Sequence, residues 1–253
     1  MIKIFGERNT STNALHLLIE RNSVARLAPS VARDLDPTIA RRLKWARRLR
    51  LPHALRERMI DRVFAGRDCL AAWKHTTPRF DDIAPLAGCH VIFCVRHPAS
   101  WLLALQRRPY HIPGTIPADF GAFLDLRWKT VGREGLRRAQ TSAMELYNLK
   151  MAAYADLQAR LAAVPATFSI VRHEDFAVDQ AAVFASLAPF LEARAGTFRP
   201  LERSTKDPSM TRAHYADFYG AERWRDDIDA ACAARINAAI DWPVVRPLGY
   251  APL

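Results

Sequence analysis

The chain has 253 residues, half of them hydrophobic and a quarter charged, which is ordinary for a folded domain and provides enough apolar material for one α/β domain or two small ones. No apolar run approaches the length of a membrane span, so an integral membrane protein with spanning helices is excluded. The 37 Lys and Arg against 26 Asp and Glu give a formal net charge of +11 and a pI near 10, which points to an acidic ligand, an acidic polymer or an anionic surface unless the charge serves solubility alone.

The first strand is read at IKIF, with Ile2, Ile4 and Phe5 apolar. It runs into Gly6, Glu7 and an unbroken polar row, Arg8, Asn9, Thr10, Ser11, Thr12 and Asn13, before Ala14, Leu15, Leu17, Leu18 and Ile19 set up a helix. The first amides of a helix lack intrahelical partners and carry partial positive charge, and hydroxyl, amide and guanidinium donors beside them suit phosphate or sulfate. The same residue types cap helices, so capping and anion binding stand as alternatives here. A strand leading straight from the first residue leaves no room for a signal peptide, and a cytoplasmic protein is expected. Counted from Gly6, the nucleotide-triphosphate motif GxxxxGK[ST] would need Gly, Lys and a hydroxyl where Ser11, Thr12 and Asn13 stand, so all three positions fail. A GxGxxG dinucleotide motif is also absent.

Residues 40–58 are densely basic. Leu43, Ala46 and Leu49 are expected to form a buried face, with Arg41, Arg42, Lys44, Arg47, Arg48 and Arg50 around it, and Pro52 to end one helix and start another. The plain reading is a solvated helix face. The sharper one is a docking patch for an acidic acceptor such as a polysaccharide, or for anionic lipid; no recognised nucleic-acid fold accompanies it, so nucleic acid is not the expected partner. CLAAW (69–73) is read as a second strand with Lys74 and His75 at its end, and HVIFCV (90–95) as a third, ending at Arg96, where open α/β sheets bind ligands. Pro98 opens a helix carrying Trp101, Leu102 and Leu105. The breaker-rich loop 109–117 is either a plain connection or a substrate-side loop. Met144, Tyr147, Met151, Tyr154 and Leu161 mark one face of a helix in segment 139–161, TFSIV (167–171) reads as a fourth strand, and Ile228, Cys232, Ile236 and Ile240 mark a late helix. Strands alternating with helices predict a single three-layer α/β domain over residues 1–253 with a parallel sheet and a P-loop-like strand–loop–helix at its start. Cys69, Cys89, Cys94 and Cys232 show neither CxxC nor zinc spacing and are read as reduced, mostly buried thiols.

Taken in order, FGERNTSTNAL, AAWKHTTP, VIFCVRHPASWLLAL, SAMELYNLKMAAY and IVRHEDF resemble the successive elements of the sulfotransferases that use 3′-phosphoadenosine 5′-phosphosulfate (PAPS), bacterial members included, over roughly residues 1–180. The resemblance implies the sulfotransferase variant of the P-loop α/β fold, with PAPS as donor, adenosine 3′,5′-bisphosphate as product and no metal. It implies that Arg8, Asn9, Thr10, Ser11, Thr12 and Asn13 hold the 5′-phosphosulfate, that Arg96 with Ser100 meets the 3′-phosphate, and that Lys74, His75 and Arg8 are catalytic. His75 is the expected general base, with Glu7 and Glu174 as alternatives; Glu174 is expected rather to order the site, and His97 and His173 to be structural. The chain departs from the family where Asn9 stands for a common lysine, Ser11 for a glycine and Ala104 for a serine, with Arg8 expected to make up the missing charge. STKDPSMTR (204–212) is similar to the family's late nucleotide-binding loop. The acceptor implied is a small molecule or carbohydrate hydroxyl, with an acidic acceptor as one option. A kinase-like P-loop transferase and a degenerate relative that binds nucleotide without turnover are the rival expectations.

Overall fold

The computed structural model describes residues 1–136, 140–207 and 209–253. Its strands are β1 (Ile2–Gly6), β2 (His90–Val95), β3 (Arg127–Trp128), β4 (Thr141–Ser142) and β5 (Thr167–Arg172). Its helices are α1 (Thr12–Asn22), α2 (Ala32–Leu35), α3 (Ile39–Arg48), α4 (His53–Phe64), α5 (Pro98–Arg107), α6 (Phe120–Asp125), α7 (Ala143–Leu161), α8 (His173–Val178), α9 (Gln180–Leu187), α10 (Arg212–Gly220), α11 (Ala230–Ala239) and α12 (Trp242–Val245). The positions Ala139 and Pro208 within the expected long helix and late loop lie outside the described residues.

The sheet is parallel in the order β1-β2-β5, with Ile4 opposite Ile92 and Phe93 opposite Ile170. Successive strand residues point to opposite faces, and the apolar runs therefore feed two cores. Phe5, Val91, Phe93 and Val95 pack with Trp101 and Leu102 of α5 and Tyr147 and Tyr154 of α7. Ile2, Ile4, Ile92 and Cys94 pack with Leu15 and Leu18 of α1 and Leu187 of α9. Helices thus cover both faces, as the near-continuous apolar strands predict. β5 is an edge strand, and Phe168 and Ile170, expected to be buried, keep 42% and 36% of their surface exposed.

CLAAW is not a strand. Residues 69–72 form turns and a bend, and the carbonyls of Leu70 and Ala72 go to a lysine instead of a sheet neighbour. Lys3 is fully buried in the middle of β1, and its ammonium donates to the carbonyls of Pro29, Leu70 and Ala72 at 2.7–2.8 Å. Every buried carbonyl needs a donor, and here one side chain supplies three. The segment still returns to the sheet, because Gly6 N–H donates to Lys74 O at 2.9 Å.

The basic run forms α3 and α4 on either side of Pro52, as expected. Ile39 and Ala46 are buried, but Leu49 is 67% exposed. The helix stops at Arg48, Leu49 is its cap, and Arg50 takes a left-handed conformation (φ 52°) that turns the chain before Leu49 can reach the buried face. Cys232 and Ile236 are buried in α11, with Ile228 and Ile240 just beyond its ends. All four cysteines are free and buried. Among the described residues no helix is long and apolar enough to cross a membrane.

Candidate active site

A cavity of about 680 Å³ opens beside the carboxyl ends of β1 and β2. The loop after β1 forms its floor, the 73–75 turn and the 108–111 loop one wall, and α8, α10 and the 203–206 loop the other.

The floor depends on close approach at Gly6. A Cβ there would lie 2.6 Å from Thr12 Cγ2 and 2.7 Å from Cys94 Cβ, so β1, β2 and the start of α1 meet at a distance only glycine allows. Beyond it, Asn9 and Ser11 both take left-handed backbone, φ 62° and 63°. At Ser11 that conformation costs about 1–2 kcal/mol relative to glycine. It is also the conformation a glycine would adopt, so the serine keeps the loop's shape. Left-handed residues alternating with ordinary ones turn successive amides toward one concave side, a form that receives anions. Ser11 is the N-cap of α1 but makes no side-chain cap; its Oγ lies 2.7 Å from His173 Nδ1. Thr10 Oγ1 donates to Glu7 O at 2.6 Å and does not line the cavity, whereas Asn9, Ser11, Thr12 and Asn13 do. The side chain at the N-cap position of α1 thus makes no capping bond.

Lys74 and His75 are the central residues of a turn closed by Thr76 N–H to Trp73 O at 2.9 Å. On a strand, neighbours would face opposite ways; on a turn, both side chains reach the cavity. Lys74 Nζ donates to Asn13 Oδ1. Burial lowers its pKa to about 8. The carbonyl of Gly6 accepts from His75 Nδ1, so the proton sits on Nδ1 and Nε2 carries the lone pair. Burial, then the charges of Lys74 and Arg8, hold this imidazole well below its usual pKa, and it is neutral at pH 7.

Arg8 lines the cavity, but its charge is already paired. It is 5% exposed, and its guanidinium is taken up by Glu7 at 2.7 Å and by Glu134. Lys150 of α7 joins the same group, 2.7 Å from Glu7 Oε2 and bonded to Glu134 and to His75 O. Burial works against the charge of Arg8, but Glu134 and Glu7 more than offset it and raise its pKa. Burial likewise opposes ionisation of Glu134, yet Arg8 and Lys150 pull its pKa well down. Two carboxylates and two cations form a neutral, buried quartet beneath the loop. A cation does reach Asn9, but from elsewhere: Lys206 Nζ donates to Asn9 Oδ1 at 2.8 Å and lies 4.7 Å from the Tyr110 ring centroid. Burial, then Arg108, Arg96 and Lys74, lower Lys206 to about 8.

Arg96 follows β2 as expected and lines the cavity. Nε donates to Ser100 Oγ at 2.9 Å, NH1 to Asn9 O at 2.9 Å and NH2 to Tyr219 OH at 2.7 Å. These use three of its five N–H groups. Ser100 is fully buried and off the cavity, where it props Arg96. Neither alternative base faces the cavity. Glu7 is 1% exposed within the quartet, and Glu174 accepts from His97 N at 3.0 Å and Tyr250 OH at 2.8 Å, which ties α8 to the β2–α5 junction and the C-terminal segment. His97 Nδ1 accepts from Ala99 N–H, and its Nε2 donates to Ala251 O within the same packing. His173 lines the cavity beside Ser11, and burial, with Arg96 and Lys206 nearby, holds it neutral.

Sequence reading missed Glu134, Lys150 and Tyr219. Lys150 carried a signal: it falls three residues after Tyr147 and four before Tyr154, inside the apolar stripe of α7. A charge there must find a buried partner. Searched against the models of known protein families and against curated proteins, the chain matches neither.

Proposed function

We propose that the chain is a PAPS-dependent sulfotransferase of the P-loop α/β type, moving a sulfonyl group to an acceptor hydroxyl. One observation carries this reading. The amides at the start of α1, Lys74, Arg96 and Lys206 converge on one cavity with no carboxylate among the described residues bonded to these three cations, and the neutral imidazole of His75 lines it with them. Two lysines held near pKa 8, Lys74 by burial and Lys206 by burial and the charges of Arg108, Arg96 and Lys74, call for an anion, and the spread from α1 to Arg96 suits two phosphate-sized groups on one ligand. Tyr215, Phe218 and Met210 give the far wall an apolar, aromatic character that suits a planar base.

In this reading His75 Nε2 takes the proton of the acceptor hydroxyl as its oxygen bonds to sulfur. The bond from sulfur to the 5′-phosphate oxygen breaks, and negative charge grows on that phosphate. Lys74 and the amides of Thr12 and Asn13 meet this charge with donors already in place. Trp73 and His111, whose rings lie 5.5 Å apart edge to face beside His75, offer an aromatic wall of the kind sugars stack on. A carbohydrate hydroxyl is therefore the acceptor this reading favours.

Binding of nucleotide without turnover is a second reading, favoured by the sequestered Arg8 and the left-handed Ser11. One pair of measurements addresses both. Adenosine 3′,5′-bisphosphate at about 100 times its dissociation constant should add about 2.7 kcal/mol to stability, seen as a raised Tm, and ATP much less. Transfer of labelled sulfonyl from PAPS to a panel of hydroxyl acceptors then separates an enzyme from a binder. An equal or larger shift with ATP would remove the donor assignment.

A further inference from the structure

The α3–α4 hairpin combines two features that rarely coincide on a surface held in water. Residues 41–58 contain eight Arg and Lys and a single acidic residue, Glu57. Glu57 faces inward, where it holds Arg133 at 2.6 Å and His111 at 3.2 Å, so its charge is spent. Outside, Arg41, Lys44, Arg47, Arg48, Arg50 and Arg58 are exposed and form no ion pair with any described residue; Arg42 alone is paired, with Asp36 at 3.0 Å. In the middle of this basic face stand large apolar side chains. Trp45 is 56% exposed, Leu49 67% and Leu55 41%. Trp45 and Leu49 are one helical turn apart, Arg41 and Arg48 flank Trp45 on the same surface, and the Arg48 guanidinium lies 5.7 Å from its ring centroid. Leu55 lies in the first turn of α4, three residues after Pro52.

We propose that this hairpin docks the protein on an anionic lipid bilayer, with Trp45, Leu49 and Leu55 entering the headgroup–acyl boundary and the surrounding arginines on lipid phosphates. Each part of the patch then has a partner: tryptophan prefers the interfacial depth, leucine the acyl region, and basic residues the negative surface. An acidic polysaccharide would satisfy the cations and leave Trp45 and Leu49 in water. A second copy of the chain would bring like charge onto like charge. The inference is independent of the chemistry in the cavity.

The test uses the full chain in co-sedimentation with vesicles of phosphatidylcholine alone and of phosphatidylcholine mixed with phosphatidylglycerol. Binding to the mixed vesicles, weakened by salt, is expected, with little binding to the neutral ones. Arg41→Gln with Arg47→Gln and Arg48→Gln should lower partitioning by about a hundredfold, taking roughly fivefold for each charge. Trp45→Ser with Leu49→Ser keeps every charge and should also lose vesicle binding while retaining its affinity for heparin. All these side chains are exposed, so the variants should melt like the parent. No binding to anionic vesicles would overturn the proposal. So would a Trp45/Leu49 variant that binds vesicles as well as the parent, which would leave a patch for soluble polyanions.

Discussion

The carbonyl of Gly6 accepts from His75 Nδ1, and this one bond ties the end of β1 to the turn that carries Lys74. It decides the tautomer of the imidazole and therefore which nitrogen can take a proton. It also makes the candidate base part of the same rigid corner as the polar loop 8–13, because Gly6 is where β1, β2 and α1 touch. Lys150 holds His75 from the opposite side through its carbonyl. Base and loop are positioned by the same backbone.

His75→Ala should lower turnover about 10²–10⁴-fold, the usual range for loss of a general base. Bisphosphate affinity should stay within a few-fold, since the ring's Nε2 is assigned to the acceptor and not to the donor. His75→Asn can keep the bond to Gly6 O and separates positioning from proton transfer: it should retain the parent's Tm more closely than Ala while remaining as inactive. Near-normal turnover in either variant on the true acceptor would remove His75 from the mechanism.

Bisphosphate binding should weaken as pH rises through 8. Lys74 and Lys206 have pKa values lowered to about 8 in the free protein, mainly by burial. A bound anion favours their charged forms, so binding takes up protons above pH 8 and affinity falls there; below pH 7 both are already charged and affinity from this source is flat. Between pH 7 and 9 the dissociation constant should rise about tenfold for each lysine involved. Calorimetry in buffers of different ionisation heat reads the proton uptake directly. Lys74→Arg should abolish its share of the pH dependence, and a profile unchanged from pH 7 to 9 would show that neither lysine meets the ligand.

Much of the site was legible in the sequence, because a strand, a polar loop and a helix in succession can only put the loop at the strand's carboxyl end. Arg96 followed from the same logic at β2. What failed was the fate of individual charges. Arg8 and Lys206 are both cations beside the loop, yet one is neutralised by Glu134, 126 residues away, and the other bonds to Asn9 from 197 residues away. Local pattern carries no information on partners at that separation. CLAAW misled for a related reason. Cys69, Ala72 and Trp73 are buried, but Lys3 supplies the hydrogen bonds that a strand neighbour would have made. A lysine centred in a short strand was the available clue, and Leu49 was misplaced only because α3 ends one residue before it.

Arg96→Ala should cost on the order of 1.5–3 kcal/mol of bisphosphate binding and narrow the gap between that ligand and adenosine 5′-monophosphate. Ser100→Ala tests the prop alone. It removes the acceptor of Arg96 Nε without touching the cavity, so it should cost about 1 kcal/mol or less and leave most of the gap in place. Equal losses for the two ligands in a folded Arg96 variant would assign that residue to the architecture of Asn9 and Tyr219 instead of to a phosphate.

The quartet of Glu7, Arg8, Glu134 and Lys150 makes the sharpest stability prediction. All four side chains are at most 5% exposed, and their charges cancel only as a set. Removing one member leaves an uncompensated charge in the interior, so Lys150→Met should lose about 3–5 kcal/mol. Methionine fills the lysine's stem volume, which keeps the loss electrostatic and not steric. Adding Glu134→Gln restores neutrality among the remaining groups, Glu7 against Arg8. The double variant should therefore be more stable than Lys150→Met, or lose much less than the two single losses added together, a coupling of 0.5–3 kcal/mol being typical for residues in one network. Urea unfolding midpoints of the four proteins in the cycle measure it. Strictly additive losses would mean that Lys150 acts through packing and its bond to His75 O, and that the ion group beneath the loop has no collective role.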